Sequence, residues 1–301
     1  MKTLKPFEIK KVLVPFDFSE TSEIAVEEAT ALAKLLKADL FLIHVMDFNE
    51  RYYFIERETQ TIITSPVEFE RAIEKRMDKV KESIERKSGI KTEVYTTTGT
   101  IHSEVISFSK KKKIDLIIMG THGTSGYKEM FMGSNAQRVV TLSDIPVLTI
   151  QKKINKSEFK NILIPIDNSF HSREKVNIAM FIADLFGSKI HLIGLPSFTD
   201  KMGLNKFKLK LESVEKIIHS NNLAYKTTIL QGENLPQAAL KYASQNNCDL
   251  IVINTGHESR TTGIFLGAFA QQIVNHSSIP VLSLKHTQDH YTILAPGFAL
   301  S

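Results

Sequence analysis

Short runs of apolar residues recur along the chain, the first three entered through a polar residue: Lys11-Val-Leu-Val-Pro-Phe-Asp17, Asp39-Leu-Phe-Leu-Ile-His-Val45, Asp115-Leu-Ile-Ile-Met-Gly120 and Ile145-Pro-Val-Leu148. Their hydrophobicity is continuous rather than alternating, which predicts strands buried on both faces. Between them the period changes. Ile24, Ala25, Ala29, Leu32, Ala33 and Leu36 recur at helical spacing behind Ser19, a good N-cap residue. Val67 to Lys87 reads as a second amphipathic helix, Thr92 to Thr97 as an alternating strand and Ser103 to Lys111 as a short helix. Strands that alternate with helices predict an α/β fold with a parallel sheet.

The pattern then repeats. Pro15 and Asp17 align with Pro165 and Asp167 at an offset of 150, while Asp115-Leu-Ile-Ile aligns with Asp249-Leu-Ile-Val and Ile145-Pro-Val-Leu with Ile279-Pro-Val-Leu at an offset of 134. Two copies of one unit are therefore present, five strands in each. The first carries 16 additional residues, best placed in Asp47 to Pro66, where periodicity fails and a loop or short helices flanking the site are expected. In the second copy, helices are expected at Ser169 to Phe186, Leu204 to Ser220, Leu235 to Gln245 and Ala268 to Asn275. Strands are expected at Lys189 to Leu195, Tyr225 to Leu230, Leu250 to Ile253 and Pro280 to Leu284. The expected division is 1–151, a polar linker Gln151 to Phe159, 160–285, and a tail 286–301 with no assignment.

The chain's most distinctive stretch follows the fourth strand. Gly120, Gly123 and Gly126 are succeeded by Gly133-Ser134-Asn135, which opens the amphipathic run Ala136 to Leu142. A glycine-rich turn between a buried strand and a helix start can aim backbone N–H groups at an anion, and the helix dipole favours negative charge there. Gly120, Gly123, Gly133, Ser134 and Asn135 are thus a candidate phosphate cradle, with His122 beside them as a hydrogen-bond donor or a solvated loop residue. The spacing is neither that of a Walker loop nor of a Rossmann fingerprint.

Gly120-x-x-Gly123, nine residues, then Gly133-Ser134 resembles the nucleotide-binding loop of the universal stress protein family, and the resemblance extends over roughly residues 9 to 285. It implies Rossmann-like domains with helices on both sheet faces and strand order 3-2-1-4-5, which brings the ends of strands one and four, at Asp17 and Gly120, to the point where ligands bind such sheets. By the same resemblance Pro15, Asp17 and the backbone of Val45 would meet the adenine and ribose of ATP, with magnesium carried on its phosphates rather than in a protein cage. The last strands, Pro146 to Ile150 and Pro280 to Leu284, would pair antiparallel within the chain, as they do between subunits in the family; a homodimer of the tandem chain is a further arrangement the family allows. A stress-response, ATP-binding regulatory protein that is not an enzyme is the function implied. A scaffold or chaperone that holds no nucleotide, and a slow ATPase, are the alternatives.

Composition changes this picture little. With 42% hydrophobic and 24% charged residues the balance is that of a soluble globular chain. The net charge of +5 comes from lysines mixed with glutamates, and the run Lys110 to Lys113 suits a helix C-terminus better than a nucleic-acid patch. No apolar run suggests a membrane span or leader, so a cytoplasmic location is expected. Cys248 stands alone before an apolar run and reads as a small buried hydrophobe. No H-x-H, H-E-x-x-H or C-x-x-C spacing supports a dedicated zinc site, although His44 and His102 could lie near His122. No nucleophile and base pair can be named. The second copy departs from the loop pattern: Asn254 and His257 replace the first two glycines and Ala268 replaces Ser134, so no triphosphate is expected there. His171, His257 and Arg260 leave room for another anion.

Overall fold

The computed structural model describes residues 8–46, 54–55, 62–63, 65–121, 132–153, 158–169, 175–196, 200–232, 234–259 and 263–285. The chain divides into two compact units, one built on Ile9–Lys128 with Gly133–Val139 and the other chiefly on Val140–Ser301.

The N-terminal unit runs β1 (Lys11–Pro15), α1 (Glu20–Leu36), β2 (Asp39–Met46), β3 (Phe54–Ile55), β4 (Ile62–Ile63), α2 (Pro66–Ser88), β5 (Thr92–Thr98), α3 (Ile101–Lys112), β6 (Leu116–Gly120) and the start of α4 (Ser134–Leu142). Its sheet has the order β6-β1-β2-β5, all parallel, with Val12 opposite both Leu40 and Leu116. Val12, Leu13, Val14, Leu40, Leu42, Ile117 and Ile118 are inaccessible to solvent, as unbroken apolar strands require.

An acidic residue before β6 has a structural use. Asp115 Oδ2 accepts hydrogen bonds from the backbone N–H groups of Lys10 and Lys11, both at 2.9 Å. The repeat reproduces this at Asp249, whose carboxylate accepts from Lys160 N at 2.7 Å and Asn161 N at 3.0 Å. Each aspartate therefore ties the start of strand four to the start of strand one.

Ser19 caps α1, its Oγ accepting from Ser22 N at 3.2 Å, and Lys37 closes the helix in the left-handed conformation. The buried stripe of α1 is Ser22, Ala25, Val26, Glu28, Ala29 and Ala33, small residues for the most part, and its neighbours include β6. Small side chains let the helix lie close to that strand. Lys110, Lys111 and Lys112 occupy the last turn of α3, where cations complement the dipole.

The C-terminal unit contains β7 (Val147–Ile150), β8 (Asn161–Ile166), α5 (Val176–Phe186), β9 (Lys189–Gly194), α6 (Lys201–Ser220), β10 (Tyr225–Ile229), α7 (Leu235–Gln245), β11 (Leu250–Asn254), β12 (Gly256–Ser259), β13 (Gly263–Leu266), α8 (Ala268–His276) and β14 (Val281–Leu284). Strands β10-β9-β8-β11-β14 run parallel in the order 3-2-1-4-5. Strand β7, which belongs to the first repeat by sequence, pairs antiparallel with β14 in the register Thr149 to Val281, Leu148 to Leu282 and Val147 to Ser283. All four residues of each strand are buried, so neither leaves an exposed apolar edge. Lys285 Nζ bonds Asp144 Oδ1 at 2.9 Å beside this ladder.

Several local expectations are revised. Among its described residues, the additional segment of the first repeat contains the antiparallel pair β3 and β4. The Asp200 carboxylate caps α6 four residues ahead of Leu204, where the helix is expected to begin, so the helix opens at Lys201. Helix α5 starts at Val176, not at Ser169, which instead belongs to a turn held by Asp167.

Candidate functional site

The C-terminal ends of β1, β2 and β6 form the mouth of the N-terminal unit, and Pro15, Val45 and Gly120 fall there. Pro15 is the last residue of β1, Val45 lies near the end of β2 and Gly120 ends β6. His122 and Gly123 lie outside the described residues.

Gly120 is required by packing. A Cβ built on it would stand 2.9 Å from Thr21 O and 3.0 Å from Thr21 Cβ, closer than carbon atoms approach these groups. The absence of a side chain lets the first turn of α1 meet the end of β6. Past the strand, Gly133 N donates to Thr121 O at 2.8 Å, which draws together the two ends of the segment between them. Gly133 O then accepts from Gln137 N at 3.0 Å, so Gly133 opens α4, with Ser134 and Asn135 in the first turn. The first-turn N–H groups of a helix have no intrahelical acceptor, and Ser134 is exposed and Asn135 half-buried. This arrangement can receive an anion.

The turn after β1 is shaped by Asp17. Its Oδ1 accepts from Ser19 N at 3.0 Å and from Ser19 Oγ at 2.5 Å, so the aspartate braces the residue that caps α1. Between them Phe18 adopts φ 62°, a left-handed conformation that costs a bulky residue about 1–3 kcal/mol. The Phe18 ring packs against Phe16, with centroids 4.8 Å apart, and against His44 at 5.1 Å. The guanidinium carbon of Arg76, from α2, sits 3.8 Å from the Phe18 centroid. Sequence reasoning missed both Phe18 and Arg76.

His44 is buried at the floor of this cluster. Its Nδ1 is 2.7 Å from Phe16 O, and because a carbonyl only accepts, the proton resides on Nδ1. Burial pushes the imidazole pKa below its ordinary value, opposed by the Phe16 carbonyl and the Asp17 charge. His102, in the first turn of α3, is also lowered, chiefly by desolvation and then by Arg138. Among the described residues no group of three His, Cys, Asp or Glu is disposed to hold a metal.

The mouth of the C-terminal unit has the same plan with different chemistry. Asp167 Oδ1 accepts from Ser169 N at 2.9 Å and Ser169 Oγ at 2.6 Å, matching Asp17 and Ser19. Gly267 opens α8 and its N–H reaches Thr255 O at 3.4 Å, matching Gly133 and Thr121. Between these ends lies the antiparallel pair β12 and β13, with Gly256 opposite Leu266, which sequence reading did not anticipate. Lys210 Nζ donates to Asp167 O at 2.7 Å and Ser169 O at 2.6 Å. His171 and Arg260 lie outside the described residues.

Cys248 is buried, and desolvation, assisted by the Asp249 charge, pushes its thiol pKa up to about 12, so it has little thiolate character. Among the described residues no helix is long and apolar enough to cross a membrane.

Comparison with known proteins gives a consistent result. The profile described as Universal stress protein family matches residues 8–151 and again 158–285. The universal stress protein MJ0577 of Methanocaldococcus jannaschii is 29% identical over 159 residues, covering 48% of this chain and 96% of that protein. The universal stress protein YxiE of Bacillus subtilis is 32% identical over 149 residues, covering 47% of this chain and 98% of that protein. Each such relative corresponds in length to about one copy of the repeat. The crystal structure of a universal stress protein from Archaeoglobus fulgidus superposes with a TM-score of 0.72 at 23% identity, covering 95% of this chain and 99% of that one, which is a likeness of fold.

Proposed function

Because this chain belongs to the universal stress protein family, with two family domains in tandem, we propose that it is a stress-response protein that binds ATP in its first domain and acts through the bound state rather than by catalysis. The observation that carries this reading is the geometry at the end of β6. Gly120 has no room for a side chain, and Gly133 brings the start of α4 back to Thr121, so the first-turn donors of α4 stand at the mouth formed by β1 and β6.

In this reading Gly120, Gly123, Gly133, Ser134 and Asn135 hold the phosphates and His122 adds a donor. Pro15, Asp17 and the Val45 backbone meet the nucleoside, and magnesium travels on the phosphates. The domains are 1–151 and 160–285, with 286–301 as a tail, and the β7–β14 ladder is the intramolecular counterpart of a family dimer. A cytoplasmic location accompanies this function. In the second domain Asn254 ends β11 where Gly120 ends β6, and a hairpin fills the loop position, so ATP is assigned to the first domain alone.

The test is a thermal melt of the full chain with rising ATP and magnesium, followed by a turnover assay on wild type and Asp17→Ala. Ligand that binds only the native state raises the melting temperature with concentration. A concentration-dependent rise without turnover supports the proposal; no rise removes it, and turnover lost in Asp17→Ala would favour an ATPase.

A further inference from the structure

The two domains place a cation at the same point of the same helix, over an aromatic ring in the first and against backbone carbonyls in the second. The buried positions Ile73, Met77 and Ile84 of α2 correspond to Phe207, Leu211 and Ile218 of α6, each 134 residues on, the offset that relates Asp115 to Asp249 and Gly133 to Gly267. Arg76 therefore corresponds to Lys210. Each reaches the turn after the first strand of its own domain: Asp17-Phe18-Ser19 under Arg76, and Asp167-Asn168-Ser169 under Lys210.

In the second domain the ammonium donates to two carbonyl oxygens of the turn at 2.7 and 2.6 Å, and no aromatic residue occupies the central position. Lys210 is a structural tie. In the first domain the guanidinium lies over an aromatic face 3.8 Å away, and that ring is held in place at the expense of a left-handed backbone at Phe18. A bulky residue kept in such a conformation marks a position where the ring's location matters. The aromatic and the planar cation are present together in the domain with the glycine cradle and replaced together in the domain without it.

We propose that Phe18 and Arg76 form a stacking platform for the base of the nucleotide in the first domain, an inference that rests on the ATP-binding reading above. The placement suits this role. In the sheet order β6-β1-β2 the phosphate cradle lies at β6, the Phe18 turn at β1 and His44 at β2. A molecule held by its phosphates at β6 and extended across the strand ends reaches the β1 turn that carries Phe18 after one strand spacing, about 5 Å, and the Phe18 ring against His44 of β2 after two, about 10 Å. Planar guanidinium and aromatic faces both stack on bases, which a lysine cannot do as well. Buried His44, its Nδ1 proton held by Phe16 O, supports the ring from below.

The experiment is calorimetric competition with ATP and with adenosine on the full chain, comparing wild type, Arg76→Ala, Arg76→Lys and Phe18→Leu, with Lys210→Ala as the control from the second domain. A base platform predicts that Arg76→Ala weakens ATP and adenosine by the same factor, on the order of tenfold. Arg76→Lys should recover only part of the loss, because charge returns without the plane. Lys210→Ala should leave both affinities unchanged and lower the melting temperature. If Arg76→Ala weakens ATP and spares adenosine, Arg76 is a phosphate contact and the platform is wrong. Unchanged affinity for both in Arg76→Ala overturns it as well. A wild-type chain that takes neither ligand overturns the nucleotide reading and the platform together, which separates the two failures. Should Phe18→Leu fail to fold, the Arg76 variants on the half-buried face of α2 decide the matter.

Discussion

Replacing Gly120 by alanine tests how the mouth of the first domain is built. The added methyl would sit 2.9 Å from Thr21 O and 3.0 Å from Thr21 C, and both are backbone atoms of a capped helix that cannot swing aside as a side chain could. Relief requires α1 or the end of β6 to move by several tenths of an ångström, and overpacking of this kind costs about 1–3 kcal/mol. Gly120 is not in the left-handed region, so alanine also gains about 0.4–1 kcal/mol by restricting the unfolded chain. The clash outweighs this, leaving a net loss of about 0.5–2 kcal/mol and a fall in melting temperature of about 2–8 °C. Circular dichroism on heating reads the change directly. Gly133→Ala is the comparison: its nearest contact is Thr121 O at 3.3 Å, so a smaller shift suffices and the loss should be smaller. A Gly120→Ala chain that melts at or above the wild-type temperature would refute the close approach of α1 to β6.

Other consequences are open to direct measurement. Asp115→Ala removes the acceptor for Lys10 N and Lys11 N and should destabilise the protein by about 1.5–3 kcal/mol by denaturant titration, with Asp115→Asn recovering part of the loss. The Cys248 thiol, buried with its pKa pushed up to about 12, should resist alkylation at pH 8 in native protein and react promptly in denaturant; rapid native labelling would contradict its burial. Burial lowers the pKa of His44 and His191 in the folded protein, so the unfolded chain binds more protons once pH falls below about 6.5. Their contribution is intact above that pH and lost as pH falls from there through the lower folded values. Replacing both by glutamine should flatten the acid limb of the stability profile, and an unchanged limb would show that other groups set it.

Much of this architecture was legible because its causes are local or repeated. Unbroken apolar runs marked the buried strands, and the 134-residue offset marked the second copy, down to Asp115 and Asp249 holding the same backbone groups. Gly120 and Gly133 stand out in the sequence because both interrupt regular structure, and the structure places them at a strand end and a helix start. What escaped depends on contacts between distant positions. Phe18 and Arg76 are 58 residues apart in sequence and meet only because α2 crosses the β1 turn. The signal that could have found them was the same offset, which pairs Arg76 with Lys210. The β12–β13 hairpin escapes a sequence reading because it stands where the first copy has its glycine loop, and that correspondence hides its own pattern. The likeness of Ser169 to Ser19 draws the expected start of α5 toward it, yet each serine donates to the aspartate two residues before it.

The central claim, a nucleotide site in the first domain and none in the second, is tested most directly by calorimetric titration of ATP with magnesium into wild type and Gly123→Val. One ATP per chain is expected in wild type and no binding in Gly123→Val. Two sites per chain, binding that survives Gly123→Val in a folded protein, or no binding to wild type would contradict it.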